Sequence, residues 1–276
     1  MNHIGNVFQK SARVFLMCCV AAMPLIASAA DNTLENVKSA NVLRIGMASG
    51  DPWYYKDPIS GNWTGVGYKI GERIAKDLGV KLMPVETTYG NAAAALQANQ
   101  IDIMLVLDAT EERKKALDFP QQPLLWYKQG VLARTGVKAG KWEDLNKPGV
   151  RIGVVLGTTT DRDLTKRLPN ANIERFSNTD ETVAAFMANR IDVFAFYHPA
   201  LAIAQSHIRT GNLVIPEPVV EMPTSAGVRK EGDHVWVHYI NAEFQKLNNE
   251  GFVQKVFSDY MASKGLDPNK IPSIKK

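Results

Sequence analysis

The 276-residue chain is 45% hydrophobic and 22% charged, with a formal charge of +4 at pH 7. That balance builds ordinary buried cores, and Lys and Arg scattered rather than gathered in a stripe argue against nucleic acid as a partner. Its two cysteines, Cys18 and Cys19, are adjacent and near the N-terminus, so the remainder carries no disulfide framework or thiolate chemistry.

Residues 1–29 read as a cleavable secretory signal. Lys10 and Arg13 make a positive n-region, Val14 to Ile26 is apolar, and Ala27-Ser28-Ala29 is a small-residue cleavage site. The apolar run is too short to span a bilayer as a helix. Met17 before Cys18, and Cys18 before Cys19, argue against lipidation. Cleavage removes Lys10 and Arg13 and no acidic residue, so the formal charge falls from +4 to +2. Export without disulfides points to a bacterial periplasm.

Val42 to Ala48 is a short apolar run closed by Ser49-Gly50-Asp51-Pro52, the pattern of a buried strand. Gly67 to Gly79 has helical spacing through Ile70, Ile74 and Leu78, with Gly79 as the stop. A strand over 80–85, an Ala-rich helix over 90–99 and a strand over 102–107 complete a β-α-β-α-β unit. The same order returns with strands over 150–156, 172–176 and 192–196, a helix opening after Gly157, and another over 180–189 with Asp180 as its N-cap. The stretch Ala94–Ile103 recurs as Ala184–Val193, keeping two adjacent Ala, a further Ala, Asn, Ile and Asp; Arg44-Ile45-Gly46 is echoed by Arg151-Ile152-Gly153. Two helices, over 236–249 and 252–263, end the chain. The expected fold is α/β: two similar Rossmann-like lobes joined by two strands, near 131–134 and 220–228. The segments are 30–131 for the first lobe, 132–224 for the second, and 225–276 returning to the first.

In parallel α/β sheets ligands gather at the carboxyl ends of the strands. Asp51, Trp53 and its neighbouring tyrosines follow the first strand; they either wall a ligand or cover a core edge. Asp108 and Arg113 follow the third. Arg113 is placed to clamp a carboxylate with two parallel bonds or to stand on a charged helix surface. Thr158, Thr159 and Thr160 open a helix whose free N–H groups and hydroxyls suit an anion or serve as simple caps. Tyr197 and His198 close the corresponding strand of the second unit, as ligand or core residues.

These residues resemble the bacterial extracellular solute-binding proteins of the polar amino-acid type, the ligand-capturing subunits of ABC importers. The resemblance rests on Gly67-Tyr68, Leu78-Gly79-Val80, Ile101-Asp102, Thr110-Glu111-Glu112-Arg113 before Leu117-Asp118-Phe119-Pro120, Gly157-Thr158-Thr159, Arg190-Ile191-Asp192 and Val228-Arg229-Lys230. It implies a type II periplasmic binding protein in which Arg113 and Thr159 grip a ligand carboxylate and Trp53 and Tyr89 form its walls. Two positions depart from the pattern. Tyr197 stands where relatives carry the Asp that binds the α-ammonium, and Asp108 stands where a Ser or Thr is common.

The expected function is capture of a small carboxylate-bearing solute, most simply an amino acid, for a membrane ABC permease. It is expected to act as a monomer, without cofactor, metal or nucleic acid and without catalysis. Two rivals are a cyclohexadienyl or arogenate dehydratase-like enzyme on the same fold, and an accessory partner of a periplasmic dehydrogenase.

Overall fold

The computed structural model describes residues 32–276; the signal read at 1–29 lies outside them. In chain order the elements are α1 (Thr33–Ala40), β1 (Val42–Ala48), β2 (Tyr55–Lys56), β3 (Trp63–Thr64), α2 (Val66–Leu78), β4 (Lys81–Thr87), α3 (Ala92–Gln97), β5 (Met104–Leu107), α4 (Glu111–Ala116), β6 (Leu117–Asp118) and β7 (Leu125–Ala133). They continue with α5 (Trp142–Leu145), β8 (Arg151–Val155), α6 (Thr159–Arg167), β9 (Asn172–Phe176), α7 (Thr179–Met187), β10 (Val193–Tyr197), α8 (His198–Ile208), β11 (Asn212–Val214), β12 (Glu221–Arg229), α9 (Val235–Asn249) and α10 (Phe252–Ser263).

The first lobe is built on β1 and β4, paired in parallel from Val42↔Lys81 to Ala48↔Thr87, with β5 reached through the parallel Ile45↔Ile103 bridge. The second lobe repeats the plan: β8 lies between β9 and β10, parallel to both. Helices follow the strands because apolar side chains recur at helical spacing. Val66, Ile70 and Ile74 of α2 have no exposed surface, and Gly79 ends the helix in the left-handed region at φ 72°. The expected N-cap Asp180 is corrected: Asn178 caps α7, its side chain accepting from the Glu181 N–H, while Asp180 sits in the first turn. A cap reaches the N–H three residues on, and only Asn178 has the extended backbone for it.

The internal repeat has a physical meaning. In the first lobe Asp102 accepts from the Arg44 main-chain N–H (2.7 Å), Nε (3.1 Å) and Nη2 (2.5 Å). In the second, Asp192 accepts from the same three groups of Arg151, at 3.0, 3.0 and 2.6 Å. Each clamp ties the start of the first strand to the start of the third. The repeated Asn, Asn99 and Asn189, take φ 56° and 58°, left-handed conformations that Asn tolerates as a helix ends. The repeated Ile, Ile101 and Ile191, press on Gly46 and Gly153. A Cβ on either glycine would lie 2.8 or 2.3 Å from the Ile Cδ1.

Two long strands pass between the lobes. The first half of β7 pairs antiparallel with β12, from Leu125↔Thr224 to Lys128↔Glu221. Its second half pairs with β10, from Gln129↔Tyr197 to Ala133↔Val193. β12 then runs on beside β5 and β6. Helices α9 and α10 return to the first lobe, where Trp236 donates from its ring N–H to the Asp102 carbonyl (2.9 Å) and α10 packs on α2. The fold is thus the expected pair of α/β lobes on a two-strand connection.

Candidate functional site

The site begins with an irregular strand. Across β5 and β12 the pairing steps from Ser225↔Leu107 to Ala226↔Leu105, leaving Val106 as an extra residue. Val106 takes φ 55°, an outlying conformation for a β-branched side chain. Such bulges re-aim the side chains beside them, and here the chain turns from β5 directly into Asp108 and α4. Thr110 caps α4, its hydroxyl accepting from the Arg113 N–H (3.2 Å). That cap anchors a helix whose Arg113 is only 5% exposed.

Among the described residues the buried guanidinium hydrogen-bonds main-chain oxygens alone. Arg113 Nη1 donates to the Asp108 carbonyl and Nη2 to the Gly157 carbonyl, both at 3.0 Å. Asp108, 6% exposed, accepts from the Tyr127 hydroxyl on Oδ1 and from the Tyr197 hydroxyl on Oδ2, the latter at 2.8 Å. Neither Arg113 nor the Asp108 carboxylate has a salt-bridge partner among the described residues. Each is held by neutral hydrogen-bonding groups only, an arrangement that is costly for a buried charge.

From the second lobe comes the N-terminus of α6. Thr158 is the N-cap: its Oγ1 accepts from the Asp161 N–H (3.2 Å) and donates to the Val155 carbonyl (2.7 Å). Thr159 and Thr160 carry buried hydroxyls without a hydrogen-bond partner of ordinary geometry, although both lie near enough to the Tyr197 phenol to favour its ionised form slightly. Gly157, at φ 75°, brings this turn against the first lobe. A Cβ there would stand 2.7 Å from the Gly90 Cα.

Burial is the leading influence on proton affinity throughout. It pulls the Arg113 guanidinium below its ordinary value, with Asp108 opposing and Arg162 adding to it. It pushes the Tyr127 and Tyr197 phenols well above theirs, and the Asp108 charge adds to the effect. Tyr89 is raised in the same way. At neutral pH these phenols are therefore donors.

Tyr89, Val106, Asp108, Arg113, Tyr127, Thr158, Thr159, Phe196 and Tyr197 enclose a cavity with about 10 Å³ free, roughly the room of one water. Beside it, sharing Tyr89, is a chamber of about 270 Å³ between the strand ends of the two lobes, bordered by Ser49, Glu86, Thr88, Val155 and Asn178. Among the described residues no group of three His, Cys, Asp or Glu side chains is arranged for a metal ion.

Six of the residues singled out in the sequence thus meet at one cavity: Tyr89, Asp108, Arg113, Thr158, Thr159 and Tyr197. Thr160 is fully buried and does not line it. Three others are placed elsewhere. Trp53, 1% exposed, packs in the core with its ring 6.0 Å from Tyr127. Asp51 is turned away to accept from Tyr260 and from Lys264 Nζ (2.9 Å). His198 is fully buried between the connecting strand and the C-terminal tail: its Nδ1 accepts from the Lys128 N–H (3.0 Å) and its Nε2 bonds the Pro272 carbonyl (2.9 Å). Each follows a strand end, but chain position does not set which side of the sheet a side chain leaves. Tyr127, Val106 and Phe196 were missed. Alternation along Leu125, Tyr127 and Gln129, all buried, was the available signal for Tyr127.

The description of bacterial extracellular solute-binding proteins, family 3, fits residues 43–263 of this chain. The chain is 28% identical over 245 residues to the general L-amino acid-binding periplasmic protein AapJ of Rhizobium johnstonii, across 84% of this chain and 71% of that protein. It is 25% identical over 237 residues to the ABC transporter glutamine-binding protein GlnH of Bacillus subtilis, across 83% and 85% of the two. Among solved structures, the ancestral amino acid-binding protein AncCDT-1, a precursor of cyclohexadienyl dehydratase, superposes with a TM-score of 0.75 at 29% identity, over 83% of this chain and 99% of that one. The cysteine-binding protein of Campylobacter jejuni superposes at 0.78 with 24% identity, over 89% and 100%, a likeness of fold. The match runs through both lobes and the connecting strands, and this chain belongs to the bacterial extracellular solute-binding proteins, family 3.

Proposed function

We propose that this protein is a periplasmic receptor that captures a zwitterionic amino acid and delivers it to a membrane ABC permease, acting as a monomer after removal of residues 1–29. One observation carries the reading. A buried cation, Arg113, and a buried anion, Asp108, face one cavity, and neither has an ionic partner among the described residues. A solute bearing both a carboxylate and an ammonium supplies both counter-charges. The carboxylate goes to Arg113 and the α6 N-terminus with the open Thr159 hydroxyl. The ammonium goes to Asp108 of the first lobe, in place of a carboxylate at position 197. The side chain extends past Tyr89 into the larger chamber. The solute enters by hinged opening of the lobes, whose changeovers we place at 131/132 and 224/225; the change of β7 partners at Lys128–Gln129, three residues before the first, supports a hinge in this strand.

The small inner cavity also favours an accessory role docked on a periplasmic dehydrogenase, which co-purification would reveal. The open chamber beside it argues for a solute. We read the site as binding rather than catalytic, and incubation with prephenate or arogenate is expected to release no aromatic product. The direct test is calorimetry with amino acids alongside the same skeletons lacking the amine or the carboxylate. Only the zwitterions are expected to bind. Arg113→Ala is expected to weaken them by about 3–5 kcal/mol, since it strips a buried carboxylate of its partner. Equal binding of the amine-free compounds would remove Asp108 from its assigned role.

A further inference from the structure

The cavity is closed by the protein's own groups. Tyr197, from β10 of the second lobe, reaches the first lobe and places its hydroxyl 2.8 Å from Asp108 Oδ2. Its ring lies on that of Tyr127, with centroids 3.7 Å apart. Arg113 of the first lobe spans the seam in the other direction to the Gly157 carbonyl. Tyr127 also donates to Asp108, but from the β7 half that pairs with β12, so that bond joins neighbours without bridging the seam at α6 and β10. Both oxygens of the Asp108 carboxylate, expected to hold the solute's ammonium, and both terminal nitrogens of Arg113 are occupied by groups of the chain itself. The free space of about 10 Å³ is what that occupation leaves.

Resting on the reading of a zwitterion site, we propose that the Tyr197 hydroxyl is a built-in stand-in for the solute's ammonium. It latches the lobes together across the Asp108 carboxylate when the site is empty, and an incoming solute must displace it. Tyr197 is thereby a determinant of affinity and selectivity. A solute whose cationic group outcompetes a phenol at Asp108 gains entry, while a plain carboxylate, offering Asp108 nothing, leaves the latch shut. The affinity observed is lowered by the fraction of molecules held in this self-occupied state.

The test uses three proteins carrying the full lobes: wild type, Tyr197→Phe and Tyr127→Phe. Both substitutions keep the two aromatic rings and each removes one hydroxyl from Asp108. Small-angle X-ray scattering of the solute-free proteins is expected to show wild type and Tyr127→Phe compact and Tyr197→Phe expanded. Titration with a mixture of the twenty protein L-amino acids, read by thermal shift, is expected to need about ten-fold less mixture for Tyr197→Phe than for wild type, the scale of one lost hydrogen bond to a charged group. Asp108→Asn, weakening the same bond from the other side, is expected to expand the empty protein too, and circular dichroism checks that each variant is folded. A Tyr197→Phe protein as compact as wild type when empty overturns the latch, as does equal expansion of Tyr127→Phe. Expansion of Tyr197→Phe without any amino-acid response in any variant keeps the latch and removes the solute reading.

Discussion

His198 offers the most quantitative check on the connection between the lobes. It has no exposed surface, and its two ring nitrogens are committed, one accepting from the Lys128 N–H in β7 and the other bonded to the carbonyl of Pro272 in the C-terminal tail. Protonation would take away the acceptor that Lys128 needs and place a charge in the interior. Burial accordingly pulls its pKa from 6.5 down to about 4, and the neighbouring Lys128 charge adds to this against the two main-chain bonds. Each tenfold change in proton affinity is worth about 1.4 kcal/mol, so the depression corresponds to about 3 kcal/mol. The sign follows from proton uptake. Between pH 6.5 and about 4 the unfolded chain binds a proton at this residue and the folded protein does not. Stability is therefore complete above 6.5, falls as the pH drops, and levels off below about 4 as far as this group is concerned. Carboxylates titrate in the same range, so a variant isolates the contribution of His198. His198→Gln keeps an acceptor and a donor without the titration. Urea denaturation at pH 7.5, 6, 5 and 4 is expected to show the wild type losing about 3 kcal/mol more than the variant across the range, with amino-acid binding at pH 7.5 unchanged. Parallel stability curves would refute a buried neutral imidazole at this position, and a loss of binding in the variant would return His198 to the solute site.

The duplicated clamps differ in exposure, which makes them each other's control. The Asp102 side chain is 2% exposed and that of Asp192 21%. Asp102→Asn is expected to cost about 3–5 kcal/mol and Asp192→Asn about 1–3 kcal/mol; equal losses in urea melts would show that burial does not grade them. Gly157→Ala is expected to hold the lobes apart, because its Cβ would stand 2.7 Å from the Gly90 backbone and its φ of 75° is strained for alanine. Binding is expected to fall at least ten-fold with the cooperative melt retained, and wild-type affinity in calorimetry would show that the seam can give way there.

Much of the architecture was legible because it is local or repeated. The β-α-β-α-β order follows from periodicity, and the recurring Asn, Ile and Asp mark backbone and clamp positions that each lobe needs for the same reason. Asp108, Arg113 and the Thr158-Thr159 helix start were legible as chemistry because strand ends and helix N-termini have fixed uses. The same rule groups Asp51 and Trp53 with them, and the structure places both away from the cavity those residues line. Their loop turns back so that Gly50 accepts from the Trp53 and Tyr54 N–H groups (both 3.0 Å), carrying Trp53 into the core and Asp51 to α10. Alternation along β7 marks Tyr127 only as buried, since nothing in its neighbours records that it faces Asp108.

The amino-acid sequence by itself determined two similar α/β units, their strand and helix order, and the charged and hydroxyl groups available at their edges, since these depend on periodicity and on residues a few positions apart. Only the tertiary structure decided that Tyr127 and Tyr197 both close on Asp108, that Arg113 reaches a carbonyl of the opposite lobe, and that His198 ties the connecting strand to the tail. Those contacts join residues from 19 to 89 positions apart. They are set by where two long strands hand the chain from one lobe to the other, a geometry that no local spacing encodes.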